Sequence, residues 1–253
     1  LHSTRRRQRQ MCIRDRLMGD QDNITLVSGF WYIKSKWPNE AYKEWFKNTM
    51  KINQRMIFFC EPQTRWYIEQ CREGRETIFV DYAIDDFYCN SFYNPFWVET
   101  FEIPSAELGK IWHEKLHMVK LAKELDEKAG KMTDFYVWYD AGNCLFRNEL
   151  PPTQRLNLTK VSSFPTSKIV YSESYPAEED HKVSGTVLIL HNKIIDDAHD
   201  LFYQTVNRVR HEMTQWKYGS DQVILSILLK EKPTLFYKVC NGYGENLNMI
   251  YKL

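Results

Sequence analysis

Between residues 23 and 82, short apolar runs alternate with segments of helical period, and this alternation restricts the fold more than any other feature of the chain. The run in NITLVSGFWYI (23–33) ends at Ser28-Gly29, RMIFFCE (55–61) is short and apolar, and ETIFVDY (76–82) is a third such run. Consecutive apolar residues without polar alternation suit strands covered on both faces. Between them, NEAYKEWFKNTMKI (39–52) places Ala41, Tyr42, Trp45, Phe46 and Thr49 at helical spacing, and TRWYIEQCRE (64–73) reads as a short helix capped by Thr64. Strand, helix, strand, helix, strand predicts a parallel sheet with right-handed crossovers.

The rest of the chain extends that pattern. Residues 85–104 read as an irregular, aromatic-rich connection and 105–129 as a long amphipathic helix starting at Ser105. DFYVWYDAGN (134–143) is a fourth strand running into a small-residue turn, and 151–165 reads as loop or short edge structure. KIVYSES and VSGTVLILHN add two strands, 193–216 a second long helix, 219–233 a shorter helix stopped by Pro233, and TLFYKVC (234–240) a last strand. The expected fold is α/β, Rossmann-like, with a mixed but mostly parallel sheet flanked by helices and one domain over 18–253.

Composition matters chiefly at the N-terminus. LHSTRRRQRQMCIRDR (1–16) holds six Arg and one Asp, without apolar period or signal-peptide core. It reads as a translated sequencing-adapter scar, so residues 1–17 are set aside as non-native or disordered, the alternative being a basic nucleic-acid-binding arm. Without those 16 residues, 34 basic and 33 acidic residues become 28 and 32, a net charge of −4. A mildly acidic body without a basic stripe argues against a nucleic-acid partner. No apolar run reaches the roughly 20 residues needed to span a bilayer, which leaves peripheral membrane contact open. Five unpatterned cysteines outside the N-terminal segment read as reduced thiols and place the chain in the cytoplasm.

IWHEKLHMVK (111–120) contains H-E-x-x-H, the pattern in which two histidines one helical turn apart hold zinc and the glutamate activates water. At about 100° per residue, His113 and His117 fall together, opposite the arc of Leu108, Trp112, Met118, Val119 and Ala122. The sequence supplies no third ligand close downstream. A solvated helix face is the expected reading, with a zinc hydrolase built on His113, Glu114 and His117 as the alternative. Lys115 lies in the middle of the apolar arc. There it must snorkel to the edge, pair with an acid or meet an anionic ligand.

FYVWYD places Asp140 at the carboxyl end of a run with no polar alternation, followed by Ala141-Gly142. Such a strand is central, and open α/β sheets bind ligands at that edge. A carboxylate there could hold a divalent cation against diphosphate oxygens, or simply form a turn with the glycine. In YGSDQVILSILL, Asp221 opens a helix, where it would either cap free amides or face the same sheet edge with Gln222.

The order of ITLVSGFWYI, IWHEKLHMVKLA, FYVWYDAG and GSDQVILSILLKEKPTLF, over roughly residues 24 to 240, resembles the bacterial HtrL/YibB-like family. That family is related to WlaTC-type proteins and grouped with GT-A glycosyltransferases. The resemblance implies a GT-A-like domain that transfers a sugar from a nucleotide-sugar donor to a glycan acceptor in surface polysaccharide biosynthesis. It implies Mn2+ or Mg2+ on Asp140, with Gly142 standing where the family's strand-end motif would carry a second acid, so that water or a distant acid would complete the shell. It further implies that Val27, Ser28, Gly29 and Phe30 border the nucleotide, that Lys115 faces a phosphate or an acid near Asp140, and that Asp221, beside Gln222, orients the sugar or acts as base. A non-catalytic glycan-binding domain of the same fold is the remaining alternative.

Overall fold

A computed structural model of the protein describes residues 23–98, 101–131, 133–175, 179–212 and 216–251. The N-terminal segment 1–17 lies outside the described residues. The element order is β1 (Ile24–Phe30), α1 (Asn39–Thr49), β2 (Met56–Cys60), α2 (Pro62–Arg72), β3 (Thr77–Asp81), α3 (Ala106–Lys128), β4 (Phe135–Tyr139), α4 (Leu158–Ser162), β5 (Ile169–Glu173), β6 (Val183–His191), α5 (Ile195–Val209), α6 (Asp221–Glu231), β7 (Phe236–Asn241) and α7 (Glu245–Tyr251).

The strands form one seven-stranded sheet in the order β3-β2-β1-β4-β6-β5-β7. Pairs β1–β2, β2–β3, β1–β4 and β5–β7 are parallel, and β6 runs antiparallel to both β4 and β5. The expected mixed, mostly parallel α/β sheet is therefore the observed one. All five residues of β4 are buried, as its unbroken apolar run requires of a strand between two neighbours. Period-two alternation along each strand feeds two cores. Val27, Phe59, Trp138 and Leu188 point to the face covered by α3, α5 and α6. Leu26, Phe58, Val137 and Ile189 point to the face covered by α1, α2 and α7.

Several boundaries move for local reasons. Helix α2 starts at Pro62, whose fixed φ and missing N–H suit a first turn. Glu61 is its N-cap, so Thr64 is not the cap; its hydroxyl donates to Glu61 O at 2.9 Å. Ser105 does cap α3, accepting from Leu108 N at 3.2 Å. The stretch expected to be loop contains α4, capped by Asn157 accepting from Lys160 N at 3.1 Å. Helix α7 was not expected at all; its period is hidden in a seven-residue element.

The amino-terminal end of the sheet is tied by a buried ion pair. Arg55 reaches Asp126 of α3 with two N–H groups, at 2.9 and 2.6 Å, and both side chains are 2% exposed. Thr133 Oγ1 and Tyr136 OH donate to Asp126 Oδ2 at 2.9 and 3.0 Å, and Arg55 also donates to Thr25 Oγ1 at 2.6 Å. A bidentate pair with its remaining acceptors satisfied offsets much of its desolvation. Removing one partner leaves a buried charge, so Asp126→Ala should cost about 3–5 kcal/mol, read as a lower urea midpoint with an unchanged m-value. A loss under about 1 kcal/mol would show that the network tolerates an unpaired Arg55.

Candidate functional site

The strand order reverses direction at β1, which continues to β2 on one side and receives β4 on the other. Open α/β sheets present a crevice at the carboxyl ends of such strands. A cleft of about 190 Å³ lies there, lined by Gly29, Phe30 and Trp31 after β1, Trp138 and Asp140 to Gly142 after β4, and Ile111, Trp112 and Lys115 from α3. Tyr42 of α1, Lys36, Trp37 and Arg147 complete its rim. Gly29 matters sterically: a Cβ there would lie 2.7 Å from the Trp31 ring and 2.9 Å from Phe59 O. Only a glycine lets the indole lie across the strand end.

Lys115 is the centre of the site. Its Nζ lies 2.9 Å from Gly185 O, 2.8 Å from Asp221 Oδ2 and 3.1 Å from Asp140 Oδ1, and it sits 5.6 Å from the Trp138 ring centroid. The residue is 4% exposed. Of the readings open for a lysine on an apolar arc, pairing with acids is therefore the observed one. The Asp221 contact is ionic in character: Oδ2 lies within reach of the ammonium but has no aligned hydrogen bond. Burial opposes the charge on Lys115, and the two carboxylates outweigh it, so its pKa is raised. Asp140 is the more exposed acid, its side chain 32% accessible. Burial raises its pKa, Lys115 pulls it back and the charge of Asp221 pushes it up again. Trp138 Nε1 donates to the same Oδ1 at 2.8 Å.

The other expected residues separate into two groups. Gly29, Phe30 and Gly142 line the cleft with Asp140 and Lys115. Gly142 O accepts from Arg147 Nε at 2.9 Å, and a Cβ there would press on Tyr42 and Trp45 at 3.1 and 3.3 Å. Val27 and Ser28 are wholly buried in β1, beneath the cleft rather than in its wall. Asp221 is buried behind Lys115 and does not line the cleft; Ser220 is the N-cap of α6 without a side-chain cap bond. Gln222 faces away, with Oε1 accepting from Ser174 Oγ at 3.1 Å. Periodicity did not indicate Trp31, Trp112, Lys36, Arg147 or the carbonyl of Gly185. The one available signal was the aromatic and basic density of FWYIKSKW just beyond β1.

Nor is the HEKLH face solvated. His113 is fully buried, with Nε2 3.0 Å from Tyr218 O and its ring edge-on to Tyr93. Glu114 is fully buried too, accepting from Tyr82 OH at 2.6 Å and from the amides of Tyr88 and Cys89, each at 2.9 Å. His117 stacks on Tyr88 and places Nδ1 3.0 Å from His199 Nε2. The aromatic connection after β3 folds over this face and turns it inward. The three side chains point to different partners, so the zinc hydrolase reading does not fit. Among the described residues, no group of three or more His, Cys, Asp or Glu could hold a metal ion.

That test bears equally on Mn2+ or Mg2+ at Asp140. Such ions need several oxygen donors in near-octahedral array at about 2.1 Å. Here Asp140 Oδ1 already takes an indole and an ammonium, Gly142 brings no carboxylate, and Lys115 stands between Asp140 and Asp221. The donor set does not fit a divalent ion while Lys115 is in place.

Two measurable consequences follow from this packing. A Cβ at residue 185 would land on Asp221 Oδ2, so Gly185→Ala should destabilise the protein by about 1–3 kcal/mol; an unchanged melting temperature would mean that Asp221 can move freely. Burial lowers the His113 pKa to about 4, so protonation favours the unfolded chain, whose histidine titrates near 6.5. This stabilising contribution is whole above about pH 6.5 and is lost as pH falls toward 4, of order 3 kcal/mol in all. The stability difference between wild type and His113→Gln should shrink over that window; a constant difference would contradict the assignment.

No family model matches the sequence, and no curated protein matches it. Solved structures do match by shape. Mouse xyloside xylosyltransferase 1, in its apo form, is similar with a TM-score of 0.52 at 11% identity, covering 90% of this chain and 93% of that one. The PaToxG glycosyltransferase aligns at a TM-score of 0.39 and 14% identity over 83% of this chain and 68% of that one, too loosely to carry an argument. The likeness is one of fold: the chain shares with a solved glycosyltransferase a mixed α/β sheet flanked by helices.

Proposed function

We propose that this chain is a glycosyltransferase of the GT-A type, akin to the HtrL/YibB-like proteins, that moves a sugar from a nucleotide-sugar donor to a glycan hydroxyl during surface polysaccharide assembly in the cytoplasm. The observation that carries this reading is the make-up of the cleft. One partly exposed carboxylate, Asp140, stands at the carboxyl edge of the central strand, between aromatic walls and beneath two cations at the rim. Indole and phenol faces suit a nucleobase or a sugar ring. Lys36 and Arg147 suit diphosphate oxygens, Arg147 with a planar fork of donors. The shared fold of the mouse xylosyltransferase supports the architecture. No helix among the described residues is long and apolar enough to cross a membrane.

The chemistry asks for a base if the anomeric configuration is inverted. The acceptor hydroxyl oxygen attacks the anomeric carbon, its proton passes to a carboxylate, and the carbon–oxygen bond to the diphosphate breaks with the electron pair leaving on phosphate. Asp221, expected as that base, reaches the cleft only through Lys115. Asp140 is in the cleft, and its raised pKa makes it a better proton acceptor than an ordinary carboxylate. In this reading Asp140 takes the proton, Asp221 and Gly185 O hold Lys115, and Lys36 and Arg147 compensate the charge developing on the leaving diphosphate.

Screening a panel of UDP- and GDP-sugars by thermal shift and by release of nucleoside diphosphate tests the proposal. One donor should raise the melting temperature and turn over, and Asp140→Asn should lower turnover about 100-fold or more while leaving donor binding within a few-fold. No shift with any donor would remove the transferase reading. Binding without turnover, unaffected by Asp140→Asn, would instead support a glycan-binding domain of the same fold.

A further inference from the structure

We infer that Lys115 takes the place of a divalent cation in this cleft, so that nucleoside diphosphates bind here without metal. The inference rests on the nucleotide-sugar reading for its ligand, and on the side-chain geometry for the rest. Three oxygens surround the ammonium: Gly185 O accepts a hydrogen bond at 2.9 Å, and Asp221 Oδ2 and Asp140 Oδ1 form ion pairs with it at 2.8 and 3.1 Å. They come from β6, from the first turn of α6 and from the end of β4. Two carboxylates and a carbonyl converging on one point are the hard oxygen donors that Mg2+ or Mn2+ prefers, and in this protein the point is filled by nitrogen. A divalent ion could enter only by displacing a lysine that is 4% exposed and held by two ion pairs.

Lys115 is 4% exposed and two carboxylates already balance its charge, so it has little to offer a phosphate. Charge for the ligand must come from the rim. Arg147 lies over the Trp45 ring, its CZ 3.9 Å from the centroid, and donates Nε to Gly142 O at 2.9 Å. Among the described residues its two Nη groups make no hydrogen bond, so they are available to an anion. Lys36 shares its ammonium with Glu102 and lies 5.4 Å from the Trp112 centroid, at the same rim. The floor thus supplies a fixed internal cation and the rim the phosphate contacts, two tasks that one metal ion performs when a second strand-end acid is present.

The test has a metal arm and a nucleotide arm. In the first, the full chain is titrated with Mn2+ and free ion is counted by electron paramagnetic resonance. Wild type should take up no stoichiometric Mn2+. Lys115→Ala, which opens the space among Asp140, Asp221 and Gly185 O, should bind one ion at least ten-fold more tightly than wild type. Lys115→Ser serves if the alanine variant does not fold, and the wild-type titration needs no variant. Stoichiometric Mn2+ on wild type would overturn the inference, and so would folded Lys115 variants as indifferent to Mn2+ as wild type. In the second arm, UDP and GDP are titrated calorimetrically with EDTA or with Mn2+. Affinities should agree within two-fold, and Arg147→Ala should weaken binding about ten-fold in both. Binding that drops more than ten-fold in EDTA would overturn metal independence and leave the transferase reading intact. Failure of both nucleotides to bind under either condition would sink the nucleotide-sugar reading, and the Mn2+ titration would still decide the role of Lys115.

Discussion

A single buried ammonium holds the working end of this protein together. Lys115 projects from the middle of α3, and its three oxygen partners belong to β4, β6 and α6, elements far apart in sequence. The ion pairs compensate charges that would be expensive alone when buried: the ammonium, and a carboxylate, Asp221, that is 3% exposed. Removing Lys115 would leave two carboxylates facing each other without a counter-charge, so this one side chain ties α3 to α6 and to the end of β4. Asp140 stands half in the cleft and half in the cluster, and burial pushes its carboxyl above its ordinary range against the pull of Lys115.

The rest of the molecule frames that cluster from both ends of α3. At the amino-terminal edge of the sheet, Asp126 binds Arg55; in the middle, Glu114 caps the turn at Tyr88–Ser91; on either side of Glu114, His113 and His117 meet Tyr218 and His199. Arg72 performs a similar task beneath α2, donating to the carbonyls of Met50, Ile52 and Gln54 at 3.0, 2.9 and 2.7 Å. All of these are polar side chains placed where burial would penalise them, and each meets a partner distant in sequence. The hydrophobic faces drive the layers together, while these polar contacts select one arrangement among many of similar apolar burial.

How the site became legible, and where it did not, follows from range. Asp140 could be placed because its position depends on one strand: an unbroken apolar run must be central, and its last residue must stand at an edge. Lys115 could be flagged because a helix wheel is a local property. Its partners could not be named, since no periodicity states which acid will meet it. HEKLH was misread for the same reason. Polarity on a wheel reports solvent exposure only when nothing else covers that face. Here the connection after β3, with Tyr88, Tyr93 and Trp97, folds over it and turns histidines and a glutamate into core groups.

By itself, then, the sequence determined the alternation of elements, the parallel half of the sheet, the centrality of β4 and the edge at which Asp140 stands, because each is set by side-chain period over a few residues. Tertiary structure alone decided that Asp140 and Asp221 share one lysine, that Asp221 lies behind it rather than in the cleft, and that Arg147 and Lys36 stand at the rim. Those outcomes depend on the crossing of α3 and α6 over the sheet and on the lack of a side chain at Gly185, against which Asp221 rests. Contacts between segments this far apart in the chain are fixed by packing, which a linear pattern does not encode.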